Sequence, residues 1–521
     1  MTKGNLAIVL HAHLPYVRSE KPGSLEEDWF FQALVECYLP LLETLEEASR
    51  SNDQAPKITI GLSPTLLSLL EDEVLKNRFK QWVEVRLEVL SSLQTDNIKA
   101  ALHLTDHLNF QLESWNRCQG DLIGRFDKLQ TTEVIDILTC AATHGYLPLL
   151  REQSEAVRAQ LKTAVREHKR LFTNSPLGIW LPECAYYEGL DKIMAEADLR
   201  YAVLDGHGLL NADPRPRYGL YAPICTKNGV AFFGRDSEST LPVWSARDGY
   251  PGNPNYREFH RDLGWDLSIE KLKKIGINEK RPLGIKLFKI SSKHTPLANK
   301  QQYDPQAAQE SLEKDADHYL KERKNQLLKL EKSMKIEPLL IAPFDAELFG
   351  HWWFEGPKFL SQLFIKSKKE GIKLITLKES LQLKTQIQLC DPSPSSWGQG
   401  GFHNYWLDES NAWIVHQWSK AGGEMVRICS EGIKQESNIK IIKQAARELL
   451  LSQSSDWSFI LKAGTTTALA RERINLHIKR FWMLINTINE KEIIEDKVLE
   501  KIEKEDCLFP LISPIDWKKK I

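Results

Sequence analysis

The sequence predicts an α/β protein built round a barrel of parallel strands, on three observations. Short, continuous apolar runs recur along the chain and stop at turn residues, as strands buried on both faces do. Helical patterns of ten or more residues lie between most of these runs. The alternation persists over about 380 residues, and of the nine candidate runs seven or eight are expected to be strands, which favours a closed barrel.

The first strand run is residues 6–13 (LAIVLHAH), broken by Leu14 and Pro15; the second, 57–62, stops at Ser63 and Pro64. Further runs lie at 134–142, 177–183, 201–205, 230–234, 283–290, 339–345 and 372–377, of which 134–142 fits a helix as well as a strand. Residues 154–171 and 357–368 carry helical patterns between them. Two stretches break the alternation. Residues 66–93 and 106–129 keep a helical period with no strand between, which predicts a helical insertion after the second strand. From about residue 420 the pattern is helical again, with 439–451 followed by a helix opening at Thr465, Thr466 and Thr467, whose hydroxyls suit an N-cap. Its apolar positions Ile474, Ile478, Phe481 and Ile485 share one helical face. The charge-dense run 491–506 predicts a solvated helix, and the Pro/Ser cluster 390–396 a linker between barrel and C-terminal helices. The expected division is a barrel of 1–64 and 131–400, an insertion of 65–130 and a helical domain of 401–521.

Composition excludes several function classes. With 69 Lys+Arg against 70 Asp+Glu the formal net charge is -1, far from the basic excess that nucleic-acid or membrane-surface binding needs. No apolar run approaches the ~18 residues that span a bilayer, and the N-terminus enters a strand-like run with no signal-peptide pattern. The 8 cysteines lack CxxC spacing and read as reduced thiols of a cytoplasmic protein. Of the 15 tryptophans, eight fall between Trp244 and Trp418.

Barrel active sites lie at the C-terminal ends of strands, so polar residues that stop an apolar run are the candidates. His11 and His13 share one strand face at such an end, and His144 follows another run. Glu183 ends a third, while Asp345 ends a fourth, followed by Glu347, His351, Trp352 and Trp353. Two carboxyls from separate strands in a His- and Trp-rich cleft suit glycosidic chemistry, which needs a nucleophile and a proton donor to the leaving oxygen. Aromatic faces match the C–H face of a pyranose, and imidazoles match its hydroxyls. Other readings stay open on the residues alone. Either carboxyl can be a structural hydrogen-bonding group, Glu347 competes with Asp345, and the His11/His13 pair is equally half a zinc site. Most tryptophans read as core, whereas Trp397 and Trp406 flank the Gly-rich stretch 398–401, a loop. Cys184 adjoins the site without a base to activate it.

Several long motifs resemble glycoside hydrolase family 57: HAHLPYV (11–17), GLSPTL (61–66), WLPECAY (180–186) and APFDAELFGHWWFEGP (342–357). The segments THGYLPLL (143–150), VWSARDGYPGNPNYREFHRDLGWD (243–266), SSWGQGG (395–401) and SDWSFILKAGTTTALARERINLHIKRF (455–481) extend the likeness from about residue 6 to about 485. Within the family they most resemble the 1,4-α-glucan branching enzymes. The resemblance implies an incomplete (β/α)7 barrel, a helical insertion after the second strand and a C-terminal helical domain. It implies retaining cleavage of an α-1,4-glucan and transfer to a 6-hydroxyl, with Glu183 as nucleophile and Asp345 as general acid/base. His11, His13, His144, Trp244, Trp397 and Trp406 would line the glucan path, with no metal or cofactor. Trp352, beyond Asp345, is a further substrate-binding candidate; composition excludes a nucleic-acid or membrane partner, and a monomer is expected. Phe344 stands where the family often has tyrosine, a tolerable change. The loop expected to cover the acceptor side falls near 226–240, a short stretch without tyrosine, and this bears on transfer more than on cleavage. The rival activities are an α-amylase or 4-α-glucanotransferase on the same scaffold, a zinc mannosidase or deacetylase, and a catalytically silent glucan-binding protein.

Overall fold

The computed structural model describes residues 4–50, 57–93, 98–245, 247–383, 387–432, 438–489 and 494–520. The first residues of the chain and 491–493 of the charge-dense run lie outside them.

Among the described residues seven parallel strands form the frame: β1 (Gly4–Ala12), β2 (Ile58–Leu62), β3 (Ile135–Cys140), β4 (Gly178–Trp180), β5 (Tyr201–Leu204), β7 (Ala231–Gly234) and β8 (Leu339–Asp345). They run in the order β7-β5-β4-β3-β2-β1-β8, so the first strand in sequence lies beside the last long one. Every residue of β1 is buried, as its unbroken apolar run requires of a strand covered on both faces. Three short strands are appended: β6 (Ile224–Cys225) antiparallel to β7, β9 (Ile372–Leu374) beside the start of β1, and β10 (Gln388–Leu389) on β6.

The closed barrel favoured by the strand count is not formed. No ladder joins β7 to β8 among the described residues; the seam carries a bond from the Asp236 amide to the Ile341 carbonyl (2.9 Å), and the helix Ser237–Trp244 packs there. The architecture is an incomplete (β/α)7 barrel with a C-terminal helical part.

Residues 135–140 of the ambiguous run are a strand, and Ser154–Leu171 is a helix with the expected bounds. Between β2 and β3 stand the helices Pro64–Glu71, Glu73–Ser91, Ile98–Arg117 and Leu122–Thr131. The first is opened by the Ser63 hydroxyl, which accepts from the Leu66 amide, with proline at its first position, and the second by Asp72, which accepts from Leu75. The C-terminal helices are Ala412–Glu431, Asn438–Ser452, Ser455–Ala463, Thr467–Ile488 and Asp496–Glu505.

Four local expectations need correction. Residues 283–290 are extended but form no barrel strand. Leu283, Ile285 and Leu287 are buried in the excursion between β7 and the helix Pro305–Ser333, and among the described residues the segment's strand-like pairings are isolated bridges to Arg257 and Gln302. Alternating burial signals a covered face, not a ladder partner. Thr466 begins the helix Thr467–Ile488 in a left-handed conformation (φ 43°) and its hydroxyl caps nothing, because that backbone turns the side chain away from the first amides. Residues 226–240 hold a turn, β7 and the start of a helix, so most of the stretch is frame and not a free loop. Residues 390–396 are no loose linker: Ser395 and Ser396 are buried, and Ser395 exchanges backbone hydrogen bonds with Tyr186 (2.9 and 3.2 Å).

Candidate active site

The C-terminal edge of the sheet collects the polar residues that stopped the apolar runs. In the ladders His11 stands opposite Gly61 of β2 and Asp345 of β8. A Cβ at position 61 would lie 3.1 Å from His11 Nδ1 and 3.3 Å from Trp180 Cβ, so glycine there is what lets the imidazole and indole close over the strand. His144 follows β3 with φ 55°, while Glu183 and Cys184 follow β4 with φ 62° and 49°. Left-handed backbone costs an L-residue about 1–2 kcal/mol, and such strain gathers where a side chain must be aimed. The 390–397 segment holds the Glu183 turn in place: the Trp397 amide donates to the Glu183 carbonyl at 2.9 Å, beside the Tyr186–Ser395 pairing.

The side chains form one connected network. Trp397 Nε1–H donates to Glu183 Oε2 (2.6 Å), and the Ser455 hydroxyl donates to Oε1 (3.2 Å). His144 Nδ1 lies 2.8 Å from Ser455 Oγ, and His144 Nε2 lies 3.0 Å from His11 Nε2. With the Ser455 hydroxyl donating to Glu183, His144 donates to Ser455 through Nδ1 and accepts from His11 through Nε2, so the chain of bonds selects a tautomer for each ring. Burial, then repulsion from the neighbouring imidazoles, holds His11 and His144 well below the usual histidine range, so both are neutral. His13 stacks on His144 at 3.9 Å and bridges Ser63 Oγ (2.8 Å) and Asp456 Oδ2 (2.9 Å). Against the cost of burial, His13 keeps Asp456 well below the usual carboxylate range.

The two carboxyls differ in their partners. Burial pushes Glu183 up to about 8, against the bond from Trp397 and helped by the charge of Asp345. The Asp345 carboxyl accepts no hydrogen bond among the described residues; burial, then Glu347 and Asp456, drive it well above its ordinary value, with Arg235 opposing. Glu347 is already engaged, its Oε1 accepting from Tyr38 Oη (2.5 Å) and the His13 amide (3.0 Å). Burial raises both carboxyls, but Glu183 has donors that stabilise its anion and the Asp345 carboxyl has none, the asymmetry that separates a nucleophile from an acid.

Trp180, Trp397 and Trp244 meet edge to face, at 5.1 Å and 5.7 Å, and His11 stacks on Trp180 at 4.7 Å. Arg235 lies 5.9 Å from both the Trp244 and Trp397 rings. Trp406 is only 3% exposed and stacked on Tyr146 (4.7 Å), so it backs the cleft wall and presents no free face. Trp352 is 44% exposed beyond the turn after Asp345 and makes no ring contact with the others among the described residues. The structure thus gathers Glu183, Asp345, His11, His13, His144, Trp244 and Trp397, places Trp406 behind them and leaves Trp352 outside the network.

Sequence reasoning missed Ser455 and Asp456, as well as Ser63, Trp180, Tyr38 and Arg235. Ser455 and Asp456 open the helix Ser455–Ala463, where Ser-Ser-Asp looks like an ordinary helix start.

Among the described residues three groups bring ligand atoms within 4.8 Å: His11/Cys140/His144, His13/His144/Asp456, and Glu448/His477/Asp506 in the C-terminal helices. In the first, the facing imidazole nitrogens already pair, and burial raises the Cys140 thiol far above the range where a thiolate forms. In the second, both His13 nitrogens are taken. In the third, Arg480 binds Asp506 at 2.5 Å and opposes a cation. These sets fit hydrogen bonding better than metal ligation.

Residues 7–390 match the family model described as glycosyl hydrolase family 57, and residues 417–517 match one described as 1,4-alpha-glucan branching enzyme, C-terminal. A protein of Thermococcus kodakarensis named a 1,4-alpha-glucan branching enzyme is 33% identical over 97% of this chain and 77% of its own length. Among solved structures, one titled as the novel alpha-amylase AmyC of Thermotoga maritima superposes with TM-score 0.92 at 35% identity, covering 100% of both chains. Another, titled as a branching enzyme of the same family from Pyrococcus horikoshii, gives TM-score 0.90 at 29% identity, covering 100% of this chain and 97% of the other.

Proposed function

The chain belongs to glycosyl hydrolase family 57, and from that premise we propose that it is a 1,4-α-glucan branching enzyme working by retaining double displacement. Glu183, carrying two donors that favour its anion, attacks the anomeric carbon of an α-1,4-linked chain while Asp345 protonates the departing oxygen. A covalent glycosyl-enzyme results. Asp345, now a base, takes the proton of an acceptor 6-hydroxyl as that oxygen displaces Glu183, and an α-1,6 branch forms. In this reading the buried, neutral imidazoles of His11 and His144, already paired with each other, form the floor beneath the cleavage point, and Trp397 and Trp244 suit the apolar face of the sugar.

The observation that carries this reading is the origin of the second half of the site. The part of the chain that matches the branching-enzyme C-terminal model also supplies Ser455 to Glu183 and Asp456 to His13. The alternative, hydrolysis as in an α-amylase, is favoured by the Thermotoga maritima likeness and by residues 226–240 being mostly frame and not a free loop. Proton NMR of amylose incubated with the protein separates them. New 1,6 linkages with few new reducing ends are expected; reducing ends without branches would make it an amylase, and unchanged amylose a silent binder.

The Trp397 indole tests the nucleophile's electrostatics. Its bond lowers the proton affinity of Glu183, so Trp397→Phe should move the acid limb of the kcat/KM profile to higher pH, by about one unit. An unmoved limb would detach Trp397 from Glu183 ionisation. Wild type should itself show that limb above the ordinary carboxylate range, toward about 8.

A further inference from the structure

Resting on the assignment of Asp345 as general acid/base, we propose that Glu347 is a positioning residue for it, locked by a π-helical turn at residues 34–38 so that its charge keeps the proton on Asp345 until the glycosidic oxygen takes it. The turn Leu34–Tyr38 interrupts two α-helices, Leu25–Ala33 and Leu39–Ser49. Such one-turn bulges redirect side chains and are frequent at functional sites. Here the turn grips the segment just after Asp345 at successive points. The Cys37 thiol donates to the Ala346 carbonyl (3.0 Å), Tyr38 Oη donates to Glu347 Oε1 (2.5 Å), and His351 Nδ1 lies 2.6 Å from Glu36 Oε2. Gly350, at φ 117°, lies so close to the Glu36 carbonyl that any side chain there would run into it. The His13 amide, beyond β1, completes the hold on Glu347 Oε1 at 3.0 Å.

Glu347 is buried and held at Oε1 by two donors, two residues from the half-buried Asp345. The charged groups that act on Asp345 are Glu347 and Asp456, which oppose its ionisation, and Arg235, which favours it; Glu183 is raised in turn by Asp345. Of these carboxyls Glu347 has the largest influence on Asp345, and its own ionisation is pushed up to about 7 by burial, against the bonds from Tyr38, its own backbone and His13. Tyr38 thus sustains the negative charge that keeps Asp345 protonated.

The test is the pH dependence of kcat/KM for amylose, whose alkaline limb reports the proton on Asp345 in the free protein. Glu347→Gln removes the charge and should move that limb to lower pH by about one unit, with KM within about twofold of wild type. Glu347→Asp, which keeps a charge, should recover most of the shift. Tyr38→Phe weakens the hold on the Glu347 anion and should move the limb in the same direction by less, and it carries the test if Glu347→Gln does not fold. An unmoved limb in folded Glu347→Gln or, failing that, in folded Tyr38→Phe overturns the proposal. So does a collapse at every pH that azide restores, which would make Glu347 the proton donor itself. Failure of the underlying assignment looks different: Asp345→Asn would then be fully active in the same assay.

Discussion

Glu183→Gln is expected to lose amylose turnover by roughly three orders of magnitude or more, because the amide cannot form the glycosyl bond on which both steps depend. The same substitution should make the fold more stable. Glu183 carries a proton in the folded protein up to about pH 8, whereas in the unfolded chain it ionises near its ordinary value of 4.5. Between those values the folded state holds a proton that the unfolded state has released, so stability falls as pH rises through the window. The glutamine variant escapes that loss. Its melting temperature should match wild type near the acid end and exceed it increasingly toward pH 8. A thermal series across that range checks it; a variant that melts lower throughout would mean that Trp397 and Ser455 need the carboxyl oxygens to pack. Retained turnover would remove Glu183 from the nucleophile role.

Asp345→Asn should slow cleavage and transfer together, by about 10²–10⁴-fold, the usual contribution of a placed acid or base. With a leaving group that departs unaided, such as a nitrophenolate, the first step should recover, and azide should then accelerate release of the trapped sugar as a glycosyl azide of unchanged anomeric configuration. Rescue with inverted configuration would speak against a covalent intermediate. Full activity of Asp345→Asn would pass the role to Glu347, even though Tyr38 and the His13 amide already occupy it.

Much of this site was legible in the linear sequence because strands advertise their ends. Each of His11, Glu183 and Asp345 is a polar stop on an apolar run, and a parallel sheet brings such stops to one edge. The open seam between β7 and β8 was not legible from strand count, since an apolar run records burial and says nothing of its neighbour. Residues 283–290 misled for the same reason. Ser455 and Asp456 lie more than 400 residues from His13 and open a helix as capping residues do, so no local pattern separates their two uses. Tyr38 was hidden because the π-turn that aims it leaves no mark in a helical period already rich in apolar side chains. Trp406 read as a platform from its Gly-rich neighbourhood, yet Tyr146 covers its face.

The seat of the helix Ser455–Ala463 has a practical consequence for anyone recombining relatives. The Ser455 amide bonds the His144 carbonyl at 3.1 Å, and Asp456 reaches the imidazole of His13. A graft that swaps the trailing helices of one homologue onto the leading half of another must therefore preserve this joint to within a hydrogen bond's length. Otherwise the hybrid will fold as two sound pieces around a dead centre.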